Sequence, residues 1–289
     1  MVIIKNEFLT ATILKKGAEV LSIQNNETDY NYMWDKNPAI WNNTSPILFP
    51  TVGKSNNNKT KYLGNSYELL NHGLARHHEF NIKSISDSDV SFIFKSSDLE
   101  SNKFPFEFIF IVKYELIEKS LVTTYTVTNP SNMDKSYFSI GAHPAFRCPF
   151  DDSHTISDYY LEFSEDTELT RHELTEEATY TGKTSVFSLE DKKIDLAKTN
   201  IADTLVFSNF KSKFVSLCEK DSDKKITCSL SGFPYIAFWK KEEANFVCIE
   251  PWYGKSDDMD FNGEFHEKKD IVTLNPNNKW QLSYTTELF

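Results

Sequence analysis

The chain has 289 residues, long enough to bury a sizeable core, and its 39% hydrophobic and 25% charged residues match an ordinary globular protein rather than a disordered or fibrous one. A formal net charge of −11 repels phosphate backbones and anionic lipid, which argues against nucleic acid and membrane surfaces as partners. The opening MVIIKNEFLT lacks the cationic start, apolar stretch and cleavage site of a secretory signal, and no apolar run approaches the ~20 residues of a membrane span. Cysteines 148, 218, 228 and 248 form no CxxC pair, so free thiols and a cytoplasmic setting are expected.

Along the chain, period-two alternation is the recurring signal. After the turn residues at 86–89, Val90, Phe92 and Phe94 alternate with less apolar neighbours. From 106 to 116, Phe106, Phe108, Phe110, Val112, Tyr114 and Leu116 share one face, as expected of a strand with one side on a core. Leu121, Thr123, Tyr125 and Val127 continue the pattern until Asn129-Pro130 breaks it. The polar segment 165–180 reads as a short helix or a long loop. Beyond it, Ile226, Cys228 and Leu230 alternate after the turn at 221–223, and Trp280, Leu282 and Tyr284 after NPNN at 275–278. No useful window sustains helical spacing, and 23 Phe with 13 Tyr suit pleated, half-buried surfaces. These features predict an all-β protein, one large antiparallel β-sandwich domain spanning 1–289.

Glycine and proline gather beside titratable groups in four segments: FPTVGK at 49–54, NHGLAR at 71–76, GAHPAFR at 141–147 and EPWYG at 250–254. Such residues permit or fix special backbone geometry and set side chains at strand ends or tight turns. Parity places Glu250 on one face with Phe246 and Cys248, where partial desolvation lifts a carboxylate toward general-base range. The competing role for Glu250 is a buried pair with Arg76. His143 shares a face with Ser139 and Gly141, whose small side chains would leave room for a ligand; otherwise it is a structural histidine. His72, His77 and His78 lack the i, i+4 helical or Cys/His spacing of zinc motifs, so no metal is expected and His77 and His78 should face solvent. Trp239, Trp252 and Phe146 offer flat faces for a sugar ring or, more commonly, core packing. There is no phosphate loop, GxSxG elbow or dinucleotide fingerprint, and no cofactor is expected.

At NHGLAR, GAHPAF and IEPWYG the sequence resembles the aldose 1-epimerase (galactose mutarotase) family, most closely its LacX-like branch, with likeness running in segment order across nearly the whole chain. The resemblance implies a large antiparallel β-sandwich with a sugar cleft and a small-molecule sugar substrate. It also implies Glu250 as general base, His143 as general acid and His72 as a sugar-holding residue. Arg76 falls in the matching motif, either touching substrate or supporting Glu250. Lys54 stands where many relatives carry Arg, which removes bidentate hydrogen bonding there. The acid–base chemistry would open a pyranose at the anomeric carbon and close it on the other face. Two alternatives stand beside this reading. One is a sugar-phosphate mutarotase whose pocket would draw on Lys54, Arg76, Arg147 and Lys240. The other is a carbohydrate-binding domain without catalysis.

Overall fold

A computed structural model describes residues 1–100 and 103–289. Two antiparallel sheets carry the architecture. The nine-stranded sheet runs, edge to edge, through strands 193–195, 159–163, 214–219, 225–229, 279–287, 120–128, 109–117, 89–95 and 81–85. The second sheet runs through 180–188, 168–174, 205–208, 235–239, 246–253, 140–142 and 47–48, and strand 145–147 adds to it by pairing with 246–253. Helix among the described residues is confined to five three-residue 3₁₀ turns. The expected all-β, antiparallel architecture is therefore the observed one. No helix among them is long and apolar enough to cross a membrane.

The alternation read from the sequence points into the space between the two sheets. Phe108, Phe110, Val112, Tyr114 and Leu116 pack in one cluster with Val90, Phe92, Phe94, Leu121, Tyr125 and Val127. Ile226, Cys228, Leu230 and Tyr284 join them. Fully burying each such side chain stabilises the fold by about 1.5–3 kcal/mol. Phe106 lies just outside its strand and packs instead with Leu69, Leu74 and Phe265.

The segment 165–180 is neither helix nor long loop. Glu168–Leu174 and Tyr180–Ser188 form a hairpin at the edge of the second sheet. Its outward face is solvated, so few apolar residues alternate there and the strand signal fades. All four cysteines are buried free thiols.

Strands of the second sheet use both faces. In Phe246–Tyr253, Val247 and Ile249 enter the inter-sheet core, whereas Phe246 and Cys248 pack on the opposite side with Trp34 and Ala145. Ile236 and Phe238 go to the core while Tyr235 and Ala237 go to that outer side. The outer side carries the cleft described next.

Candidate active site

Register brings the two central residues together. Gly141 pairs with Trp252 and Ala145 with Cys248, so continuing either ladder by two residues sets His143 opposite Glu250. Pro144 contributes no N–H, and His143 sits between two short strands that share one long partner. Side chains opposite one another on one face are near neighbours. Here His143 Nε2 lies 3.3 Å from Glu250 Oε2. On the other flank of Glu250, the small Ala237 is its register partner, and Glu250 itself is 1% exposed at the wall of the cleft.

Three loops complete the walls of a cleft of about 400 Å³, a volume typical of small-molecule sites. The first holds Gly53, the second His72 and Arg76. They are strapped together, since His72 N–H donates to Gly53 O at 2.9 Å and Gly53 N–H donates to His72 Nδ1 at 3.1 Å. His72 takes the left-handed conformation at φ 64°, an uncommon setting for a side-chain-bearing residue outside a functional or tightly held loop. Gly73 follows at φ 76°, and a Cβ there would sit 2.5 Å from Phe49 O, so only glycine fits. The first loop, which holds Gly53, is anchored by a buried ion pair. Lys268 Nζ lies 2.8 Å from Asp257 Oδ1, and Asn56 N–H donates to Asp257 Oδ2.

The third loop brings Trp41, whose ring lies 5.2 Å from that of His143 and meets Trp239 edge-on at 5.3 Å. Glu19 holds this loop in place: its carboxylate accepts from the N–H groups of Thr44 and Ser45 and pairs with Lys36 at 2.7 Å.

Electrostatically the floor is unusual. Burial pushes the Glu250 carboxyl well above its ordinary range, opposed by the nearby Trp252 indole N–H and by Arg76. Burial also pushes His143 well below its ordinary value, and His72 and Arg76 add to the effect. Both shifts favour the uncharged forms, a protonated carboxyl and a neutral imidazole. His72 is pushed down to about 3 by burial and by Arg76. It is neutral, and because Nδ1 accepts from Gly53, its proton sits on Nε2 as a donor. His143 Nδ1, Glu250 Oε2 and Trp252 Nε1 are buried without completed hydrogen bonds. Buried polar atoms are normally satisfied, and three vacancies facing one cleft mark a place for a polar ligand.

The residues singled out in the sequence divide as follows. Glu250, His143, His72, Arg76, Trp252 and Trp239 all line the cleft. Phe146 does not: it is 1% exposed in the inter-sheet core, because His143 and Ala145 take the outer face and parity turns Phe146 inward. Lys54 also stays out, with Nζ bonded at 3.0 Å to Glu177 at the surface. The room expected above Gly141 is taken by protein, since a Cβ there would lie 2.7 Å from Trp252 Cδ1. His78 is half-buried against Phe94, ring centroids 5.2 Å apart, while His77 is exposed as expected. Arg147 and Lys240 line a separate cavity, where Arg147 pairs with Asp152. Among the described residues Arg76 forms no ion pair with Glu250, so the buried-pair alternative does not hold, and its guanidinium borders the cleft. Sequence reasoning missed Trp41, Tyr180, Val206 and Ser256, which also border it. They arrive from remote loops and strands; only Trp41, an aromatic in the polar stretch DKNPAIWNN, carries any local signal.

The profile of one family, described as aldose 1-epimerase, matches residues 1–282. The chain belongs to the aldose 1-epimerase family. Family membership makes it an isomerase of the epimerase type. It is 28% identical over 296 residues to the chromosomal protein LacX of Lactococcus lactis subsp. lactis, covering 97% of both chains. The structure superposes on a galactose mutarotase related enzyme from Lactobacillus acidophilus with a TM-score of 0.93 at 27% identity, over 100% of this chain and 97% of that one. A galactose mutarotase-like protein from Lactobacillus casei gives 0.90 at 29% identity, with both chains covered completely. An Escherichia coli chain described as a putative aldose 1-epimerase shares the fold, with a TM-score of 0.74 at 14% identity over 99% of this chain and 98% of that one.

Proposed function

We propose that the cleft interconverts the α and β anomers of an unphosphorylated aldose, with Glu250 and His143 moving the protons. The observation that carries this reading is their contact: a carboxyl and an imidazole 3.3 Å apart, facing one cleft with unfilled hydrogen-bonding capacity. One proton shared by the pair is enough for the whole reaction. Passing that proton from Glu250 to His143 creates carboxylate and imidazolium. The carboxylate takes the proton of the anomeric hydroxyl while the imidazolium protonates the ring oxygen, and the C1–O5 bond breaks. The pair is then neutral again, in the form that burial favours. After rotation about C1–C2, the same neutral pair drives closure: His143 takes the proton from O5–H and Glu250 returns one to O1. The His72 Nε2–H and the Arg76 guanidinium are free to hold sugar hydroxyls, and Trp41, Trp239 and Trp252 supply faces for the ring.

A phosphorylated sugar is the second reading. Of Lys54, Arg76, Arg147 and Lys240, only Arg76 borders the cleft, where Lys241 is a further cation. One continuous core reaching from Val2 to Leu288 supports treating the chain as a single domain. The test of function is two-dimensional NMR exchange between anomers. Glu250→Gln keeps shape and hydrogen bonding but removes the titratable group, so exchange should fall by about 10²-fold or more while sugar binding survives. Exchange near the wild-type rate would end this reading.

A further inference from the structure

The face that carries His143 and Glu250 carries a third ligating group that proton transfer does not use. Cys248 is two residues before Glu250, so it shares that face, and it pairs in register with Ala145, two residues after His143. One ligand atom from each of His143, Cys248 and Glu250 lies within 4.8 Å of the other two. We propose that this trio is a binding site for a soft divalent cation such as Zn²⁺, and that occupancy shuts off the acid–base pair.

Nitrogen, sulfur and carboxylate oxygen are the donor set zinc takes in proteins, with bonds of about 2.0–2.3 Å in a tetrahedron. Two ligands at about 2.1 Å on a tetrahedron lie roughly 3.4 Å apart, close to the 3.3 Å between His143 Nε2 and Glu250 Oε2. Only the Cys248 thiol has to draw in. His143 and Glu250 line the cleft, which gives an ion its route to the trio, while the Cys248 sulfur is fully buried.

The polar neighbour of Glu250 Oε2 is His143 Nε2 at 3.3 Å, itself one of the three ligands, and His143 Nδ1 is buried without a partner, so no hydrogen bond to a group outside the trio has to be broken to bind metal. The other His–carboxylate cluster, Asp151, His154 and Glu219, differs at this point. There Lys224 Nζ already lies 3.3 Å from Asp151 and 3.5 Å from Glu219, so an ammonium fills the cation's place. Binding at the cleft trio releases the Cys248 and Glu250 protons to solvent while His143 supplies a lone pair. Charge balances, and no redox step is involved. The occupied pair can neither accept nor donate a proton, so zinc inhibits rather than activates.

Binding is read without reference to activity by titrating the full-length protein with Co²⁺, whose thiolate complexes have a charge-transfer absorption. The wild type should bind one equivalent with that band, Zn²⁺ should bleach it, and Cys248→Ala should lack it, whereas His154→Ala should keep it. Anomer exchange is then followed with added Zn²⁺, each variant compared with its own zinc-free rate. Zinc should suppress wild-type exchange, chelator should restore it, and Cys248→Ala and Cys248→Ser should need at least roughly tenfold more zinc. No sulfur band at cobalt saturation, or unchanged zinc sensitivity in both Cys248 variants, would overturn the site. A cobalt band in a protein with no anomer exchange would leave the metal site standing and remove the proposed reaction instead.

Discussion

Two histidine–carboxylate clusters stand among the described residues, and they solve the same electrostatic problem in opposite ways. At Asp151, His154 and Glu219 every charge has company. His154 bonds Asp151 at 2.7 Å, Tyr159 O–H donates to Glu219 at 2.5 Å, and Lys224 reaches both carboxylates. Asp151 raises the His154 pKa and is itself held low, chiefly by the Ser153 hydroxyl and then by His154. At the cleft the shifts run the other way: burial dominates, Glu250 rises and His143 falls. The first cluster is a structural network, while the second keeps its groups neutral and its hydrogen-bonding capacity open. An unpaired buried group costs stability, and such costs persist where function needs them.

The largest effect that would break the comparison comes from making one substitution in both clusters. Glu250→Gln should lose about 10²-fold or more in exchange. It should also raise the melting temperature at neutral pH. A carboxyl whose folded pKa lies above its unfolded value of about 4.3 costs stability as pH rises above that value, and Gln escapes this cost. A gain of even one kcal/mol reads as roughly 2–4 °C in a chain of this size. Glu219→Gln removes the carboxylate's charge opposite Lys224, so it should lower stability by about 1–3 kcal/mol, and with it the melting temperature, and leave exchange intact. Calorimetry showing both variants shifted in one direction would mean the two clusters do not differ as argued.

Next in size is the aromatic wall. Trp41→Ala removes the ring against His143, and at about 0.5–1.5 kcal/mol per aromatic contact kcat/KM should fall roughly threefold to tenfold. A fall confined to KM would place Trp41 in sugar binding alone, while loss of kcat would show that it also orients the imidazole.

The pH profile sharpens the same contrast. Free side chains, at about 4.3 and 6.5, would give a bell about two units wide, with the carboxylate on the acid limb and histidine on the basic limb. The buried pair reverses these limbs. A second proton must go onto His143, whose pKa is lowered, and the shared proton must leave Glu250, whose pKa is raised. The protons belong to the pair, so both limbs should depart together from those free-side-chain positions. A narrow bell centred near pH 5.4 would refute the neutral pair.

Much of this was legible in the sequence, and the failures share a cause. Phe108 to Leu116 alternate because one face of their strand meets a core, so simple counting recovers both strand and face. Glu250 and His143 were legible because parity on each strand and a Gly/Pro-marked turn agree on one side of the sheet. Their opposition at 3.3 Å was not, because register depends on which strands pair. The hairpin at 168–188 escaped detection since its exposed face weakens the alternation. Of the two roles open to Phe146, sugar contact and core packing, the structure shows the core, as the parity of His143 implies; the direction of the two pKa shifts depends on depth of burial, which no motif encodes.

The smallest expected effect concerns Lys54, and it decides what sugar the cleft accepts. Its ammonium bonds Glu177, a residue 77% exposed, and exposed pairs of this kind contribute about 0–1 kcal/mol. Lys54→Met should therefore change kcat/KM for a free aldose by less than about twofold, a fraction of one kcal/mol. The informative arm is a 6-phosphorylated aldose. If the pocket takes only neutral sugars, the phosphosugar should be the poorer substrate for wild type and Lys54→Met alike, even though Arg76 and Lys241 both border the cleft. If Lys54 instead swings away from Glu177 to meet a phosphate, the wild type should prefer the phosphosugar and Lys54→Met should lose that preference by about tenfold, the worth of a charge-assisted hydrogen bond. Parallel NMR exchange on the two sugars with the two proteins separates these outcomes, and a preference carried by Lys54 would replace the neutral aldose with its phosphate as the substrate.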